Sequence, residues 1–166
     1  MVFVTELLVA WLLADFLSGV WHWIEDRYFE ESWPIIGKYI AKPNTLHHAQ
    51  PAAFLQNGYW TRNWTTILPA AIAFALYPSW VFVFVSQANE IHAWAHQICS
   101  SFIRMLQEVG LLQSPRHHGE HHRSPFEVRY CVMSDWLNPF LDAIEFWRWC
   151  EYLLSPFIRV KDDRTA

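Results

Sequence analysis

Residues 67–85, ILPAAIAFALYPSWVFVFV, carry no charge, and the fold turns on whether they form one membrane crossing or a hairpin. The uncharged run extends further on both sides, from Arg62 to Glu90. All 12 Lys and Arg lie in residues 25–63 or 97–166, on the two flanks of the run. Loops rich in Lys and Arg stay in the cytoplasm, and a single crossing would separate these flanks. A turn at Tyr77-Pro78-Ser79 reunites them, because proline removes a helix donor and biases its predecessor away from helical backbone. The two limbs, 64–77 and 79–91, are each shorter than the roughly 20 residues of a full span. Tilted or re-entrant limbs are therefore expected as readily as complete ones.

Toward the amino terminus, residues 2–24 are mostly apolar and long enough to span as a helix, broken by Glu6, Asp15, Ser18, Gly19 and His22. They lack a basic leader and an A-x-A site, so a retained helix is expected rather than a cleaved signal. A carboxylate inside such a helix is costly, and the expected partner of Asp15 is the histidine cluster or the Ser18 hydroxyl. The chain is 53% hydrophobic with 11 tryptophans, which suits a protein meeting the membrane interface. Its net charge of -4 argues against a nucleic-acid partner. Cys99, Cys131 and Cys150 form no C-x-x-C pair, so neither disulfides nor a thiolate metal site is expected. In residues 97–160, Ile98, Phe102, Met105, Leu106, Val109 and Leu112 recur at helical spacing, as do Phe140, Ile144, Trp147 and Leu154. These read as helices lying along the interface. The expected architecture is a single all-α integral membrane domain over residues 1–166, with a short central hairpin and interfacial helices.

The nine histidines all fall in clusters: HWIED (22–26), LHHAQP (46–51), HAWAH (92–96) and RHHGEHH (116–122). His92 and His96 are four apart on a helix continuing from the apolar run, so both rings share one face, as two ligands of one metal require. Ser114 and Pro115 read as an N-cap and first helical residue, and Ser124-Pro125 as a stop. Within that helix His118 stands three and four residues from His121 and His122. Asp26 lies one turn after His22, the spacing of a carboxylate that ligates a metal or orients its histidine. With a hairpin topology His22, His47, His48, His92, His96, His117, His118, His121 and His122 all come to the cytoplasmic side. That is too many for one tetrahedral zinc, and two metals of about four ligands each is the simpler count; imidazole suits zinc, iron, copper or nickel. Glu120 and Asp142 are further candidates to orient the ligands.

The strings ADFLSGVWHWIED, HHAQP, NEIHAWAHQ, LLQSPRHHGEHHRSP and YCVMSDWLNPFLD, in that order from Ala14 to about Trp147, resemble the Kua or CarF family of membrane lipid desaturases. The resemblance implies a multi-span membrane protein whose histidine-rich di-iron centre uses O2 and an external electron donor of cytochrome b5, ferredoxin or flavodoxin type. It implies ligands at His22, His47, His48, His92, His96, His118, His121 and His122, with His117 a frequent family histidine and Asp26 matching a family aspartate. Asn57-Gly58-Tyr59 departs from an H-D-F-like element of the animal members, so no ligand is expected there.

The residues fit that chemistry on their own. Removing two hydrogens from an unactivated alkyl chain exceeds what side-chain acids and bases can do, and calls for a metal with O2. The expected catalytic set is His22, Asp26, His92, His96, His118, His121 and His122, acting on an alkyl-ether or acyl chain of a membrane phospholipid. A histidine-box hydroxylase and a non-catalytic metal-binding sensor are the alternatives; a zinc hydrolase is disfavoured because H-E-x-x-H is absent.

Overall fold

The computed structural model describes residues 2–161 and, among them, helices without strands. Helix α1 spans Val2–Arg27. A π turn at Gly37–Ala41 leads into α2 (Lys42–Ala49), and a 3-10 turn at Pro51–Gln56 into α3 (Tyr59–Leu76). The chain then reverses through α4 (Trp80–Val85) and α5 (Ala88–Ala95). Four short helices follow: α6 (Ser101–Glu108), α7 (Pro115–His121), α8 (Asn138–Ala143) and α9 (Phe146–Leu154).

Helix α1 is inverted relative to a water-soluble helix. Its buried side is small and polar, with Ala14, Asp15, Ser18, Gly19, His22 and Asp26, whereas Val4, Leu8, Val9, Leu13 and Leu17 are exposed. By length and composition it is the one helix among the described residues apolar enough to cross a membrane. Its buried side reads off the extended segment 130–134. Asp15 Oδ1 accepts the amides of Met133 and Ser134 at 3.0 and 3.1 Å, and its Oδ2 accepts the Ser134 hydroxyl at 2.5 Å. Ser18 Oγ accepts the Val132 amide at 3.2 Å while donating to the Asp15 carbonyl at 2.6 Å. Asp15 thus serves this segment; its carboxylate meets neither the histidines nor the Ser18 hydroxyl, contrary to expectation, because the 133–134 amides have no strand partner and claim it. Gly19 permits the approach, since a Cβ there would stand 2.6 Å from Cys131 Sγ and 3.0 Å from the Cys131 amide nitrogen.

The run 63–90 folds back as the charge distribution requires. Helix α3 ends at Leu76, and Ser79 caps α4 by accepting the Val81 amide at 3.3 Å. The limbs are joined where they meet: Thr66 Oγ1 donates to the Ser86 carbonyl at 3.3 Å, and Asn89 donates to the Arg62 carbonyl at 2.9 Å. At the open end Arg62 Nη2 lies 2.6 Å from Glu90. The returning limb also packs on α1, with Trp11 edge-on to Phe84 at 5.2 Å.

The carboxy-terminal part only partly follows the sequence pattern. Phe102, Met105 and Val109 are exposed as an interfacial face would be, but Leu112 and Trp147 are core residues. Trp147 packs with Trp23, Tyr28, Tyr130, Cys131 and Leu141, and Arg27 fixes α9 to α1 through Glu151 at 2.6 Å. The extended segment separating α7 from α8 breaks the helical repeat. The three cysteines are free, Cys131 buried and the others half-buried.

Two substitutions test this frame. Asp15→Asn replaces one of the two buried acceptor oxygens with a donor among groups that donate to it, and Gly19→Ala forces a methyl against Cys131; each is expected to cost roughly 1–3 kcal/mol. A wild-type thermal midpoint for either purified variant would contradict the packing described.

Candidate metal centre

Two groups of ligand atoms lie side by side below this frame. The first comprises His47, His92, His96, His118 and His122; the second comprises His22, Asp26, His48 and His121. Within each group the ligand atoms lie within 4.8 Å of one another. The groups adjoin: the rings of His48 and His122 are 5.1 Å apart, and those of His22 and His92 5.5 Å.

Local structure delivers each ring. Helix α7 starts with Ser114 accepting the His117 amide at 3.2 Å and Pro115 in the first turn, as its sequence suggests. One turn of it sends His118 and His122 to the first group and His121 to the second. Adjacent residues on α2 divide likewise, His47 to the first group and His48 to the second. The rows His92/His96 and His22/Asp26 remain whole, since residues four apart share a helix face.

In the first group four Nε2 atoms form a closed ring of contacts. His92 to His47 is 3.1 Å, His47 to His122 is 3.1 Å, His122 to His118 is 3.0 Å and His118 to His92 is 2.8 Å. The fifth, His96 Nε2, lies 3.2 Å from His92 Nε2. With a metal–nitrogen bond of about 2.1 Å, ligands at right angles stand about 3.0 Å apart and tetrahedral ligands about 3.4 Å. The four ring contacts are nearer the right-angle spacing, and five candidate nitrogens exceed the four of a tetrahedral zinc. Burial, then repulsion from neighbouring imidazoles, pushes His118 well below its ordinary pKa and His96 down to about 4. Both rings are therefore neutral at pH 7, the form that binds a metal.

The second group is oriented from outside. His22 Nδ1 faces the Tyr130 carbonyl at 3.1 Å, and His121 Nδ1 faces the Val128 carbonyl at 2.7 Å. A carbonyl only accepts, so each Nδ1 carries the proton and each Nε2 keeps its lone pair. Both Nε2 atoms and Asp26 Oδ2 are buried without a hydrogen bond. Asp26 Oδ2 stands 3.3 Å from His121 Nε2, and its Oδ1 is 3.0 Å from His48 Nε2 and 3.7 Å from His22 Nε2. Asn44 holds the same Oδ1 at 2.6 Å. Two imidazole nitrogens and a carboxylate oxygen left without a partner, with His48 beside them, fit a divalent cation.

Three sequence candidates lie outside both groups. His117 Nε2 accepts from Asn138 Nδ2 at 3.1 Å. Glu120 and Asp142 pair with Arg129 at 2.9 and 3.3 Å instead of orienting a ligand ring. What sequence reasoning missed are Asn44 and the carbonyls of Tyr130 and Val128. Asn44, four residues before His48, carried a weak helical-spacing signal; a backbone carbonyl carries none.

Residues 11–164 match the family model for the lipid desaturase domain. A probable fatty acid desaturase of Acanthamoeba polyphaga mimivirus is 33% identical over 95% of this chain and 86% of its own. Plasmanylethanolamine desaturase 1 of Mus musculus is 33% identical over 87% of this chain, and chloroplastic fatty acid desaturase 4-like 2 of Arabidopsis thaliana 34% over 87%. The matches cover 62% of the mouse protein and 57% of the plant protein. No solved structure matches the chain. Family model, relatives and motifs agree: the chain belongs to the lipid desaturase family, a family of enzymes of lipid metabolism.

Proposed function

We propose that this chain is a membrane-bound di-iron desaturase that introduces a double bond into an alkyl-ether or acyl chain of a membrane phospholipid. The observation that carries the reading is the pair of adjoining ligand groups. His47, His92, His96, His118 and His122 would hold one iron, and His22, Asp26, His48 and His121 the other. The reaction balances as one chain –CH2–CH2–, O2, two electrons and two protons giving –CH=CH– and two waters. The electrons come from an external carrier of cytochrome b5, ferredoxin or flavodoxin type. When bound, the metal pair supplies the oxidising power that an unactivated chain demands. The protein's residues do the rest: the Tyr130 and Val128 carbonyls fix the tautomers of His22 and His121, and Asp26 adds the one negative charge among nine ligands. The exposed apolar side of α1 supports a lipid-facing helix, and the basic flanks support a cytoplasmic side for the centre.

The functional test compares lipid profiles of membranes with and without the protein, alongside its metal content. Two irons per chain and a new double bond are expected; a hydroxylated product, or one metal, would contradict the reading. Alanine at His92, His96, His118, His121 or His122 is expected to abolish turnover with membrane insertion intact. His117→Ala, by contrast, is expected to retain both irons, and its loss of metal would redraw the first group. Asp26→Asn is expected to lower metal affinity or rate about 10- to 100-fold; wild-type iron content and rate would remove Asp26 from the centre. For orientation, single cysteines at Arg62 and Gln97, in a background without native cysteines, are expected to react with an impermeant reagent from the cytoplasmic side alone. Reaction from opposite faces would contradict the hairpin.

A further inference from the structure

Two cavities adjoin against the ligand groups, and their linings differ in kind. One, of about 270 Å³, lies between α1 and the α3–α5 hairpin and is walled by Leu17, Val20, Trp21, Pro69, Val85 and Ala88. The other, of about 220 Å³, is lined by polar groups that include Lys38, Asn44, Asn57, Thr61 and Arg62, with Tyr39 and Trp64 among them. Glu25, Thr65, Asn89 and His92 line both. His22 opens onto the apolar cavity and His47 onto the polar one, so ligand residues border each side of the junction.

The axis is set by α1. From Glu25 back to Leu17 the apolar limb follows the helix for about 12 Å, at roughly 1.5 Å per residue. It runs toward the helix's exposed apolar half, which is hydrocarbon depth on the proposed reading. The polar limb lies beyond the other end, where Tyr39 and Trp64 pack edge to face at 5.8 Å, the aromatic pairing typical of a headgroup level. Of the two cations there, Arg62 is taken by Glu90 at 2.6 Å, whereas Lys38 is exposed with its ammonium 4.9 Å over the Tyr39 ring. The residues shared at the junction, Glu25, Thr65, Asn89 and His92, include no lysine or arginine, which leaves the rim as the place for a phosphate.

We infer that the two cavities form one binding site for a membrane phospholipid, with one chain in the limb between α1 and α3 and the phosphate at Lys38. The inference rests on the desaturase reading for its ligand, and it assigns residues that reading leaves open. Thr65 and Asn89 border the chain where it passes the ligand histidines. Leu17, Pro69 and Val85 bound its far end.

Photoactivatable phosphatidylethanolamines test this with the full, iron-loaded chain in phosphatidylcholine nanodiscs. One probe carries a diazirine beside the glycerol and the other near the chain's methyl end, and labelled peptides are mapped by mass spectrometry. The first is expected on the peptides of Glu25, Thr65 or Asn89, and the second on those of Leu17, Pro69 or Val85. Labels from both probes spread over the outward residues Phe3, Leu8, Ile72 and Leu76 would overturn the site. Lys38→Glu is expected to lower capture of the phosphatidylethanolamine probes about threefold, with capture of a neutral diacylglycerol probe unchanged. Equal losses for both would overturn the phosphate assignment. Labelling needs no turnover, so the two readings fail separately. Labelled cavities without an unsaturated product keep the site and sink the desaturase; product with dispersed labels does the reverse.

Discussion

Five imidazole nitrogens stand in a chain of contacts of 2.8–3.2 Å at the centre of this molecule. Two lone pairs facing each other at that distance repel, and two protons would collide. Neutral rings can relieve some of these contacts by sharing hydrogens, but a closed ring of four with a fifth attached is relieved at every contact only by a cation in the middle. The fold is organised around that requirement. Helices α1, α2, α5 and α7 each carry candidate ligands, and each ends or begins beside the two groups. The short lengths of α2, α5 and α7 follow, since each must deliver two or three rings and then turn away.

Such an arrangement needs a frame that does not yield, and α1 with segment 130–134 is that frame. The same helix side that accepts the Met133 and Ser134 amides through Asp15, and admits Cys131 through Gly19, presents His22 and Asp26 one and two turns later. His22 in turn is held by the Tyr130 carbonyl. The anchoring and the ligation are therefore one periodic pattern, with small and polar residues inward and leucines outward. Only the second group gains fixed carbonyl partners from this frame. The Nδ1 atoms of His47, His118 and His122 are buried without a hydrogen bond, so the geometry of the first group depends on what its Nε2 atoms share.

Much of this was legible in the residues. The Pro78 break and the basic residues on both flanks of the uncharged run foretell the hairpin, because helix termination is a local property and the distribution of charge along the chain is read without any tertiary contact. Ser114-Pro115 marks the start of α7 for the same reason. Eight of the nine histidines could be gathered by clustering and helical spacing. Their division into five and three plus Asp26 could not, because adjacent residues such as His47 and His48, or His121 and His122, diverge by the twist of one helical residue toward partners far away in the chain. His117 failed for the converse reason: its spacing suits a ligand, but Asn138, 21 residues on, claims its nitrogen. The extended segment 130–134 was hidden as well, since the amides of Val132, Met133 and Ser134 are satisfied by side chains of α1, and that of Cys131 by Asn138, rather than by a strand partner with a sequence period.

The two groups predict two unlike metal positions side by side, one held by nitrogen alone and the other including the Asp26 carboxylate. Mössbauer spectroscopy of the protein loaded with iron-57 tests this most directly. Two quadrupole doublets of equal area are expected, with Asp26→Asn altering one and leaving the other in place. A single doublet, or two that both shift in the Asp26 variant, would contradict it.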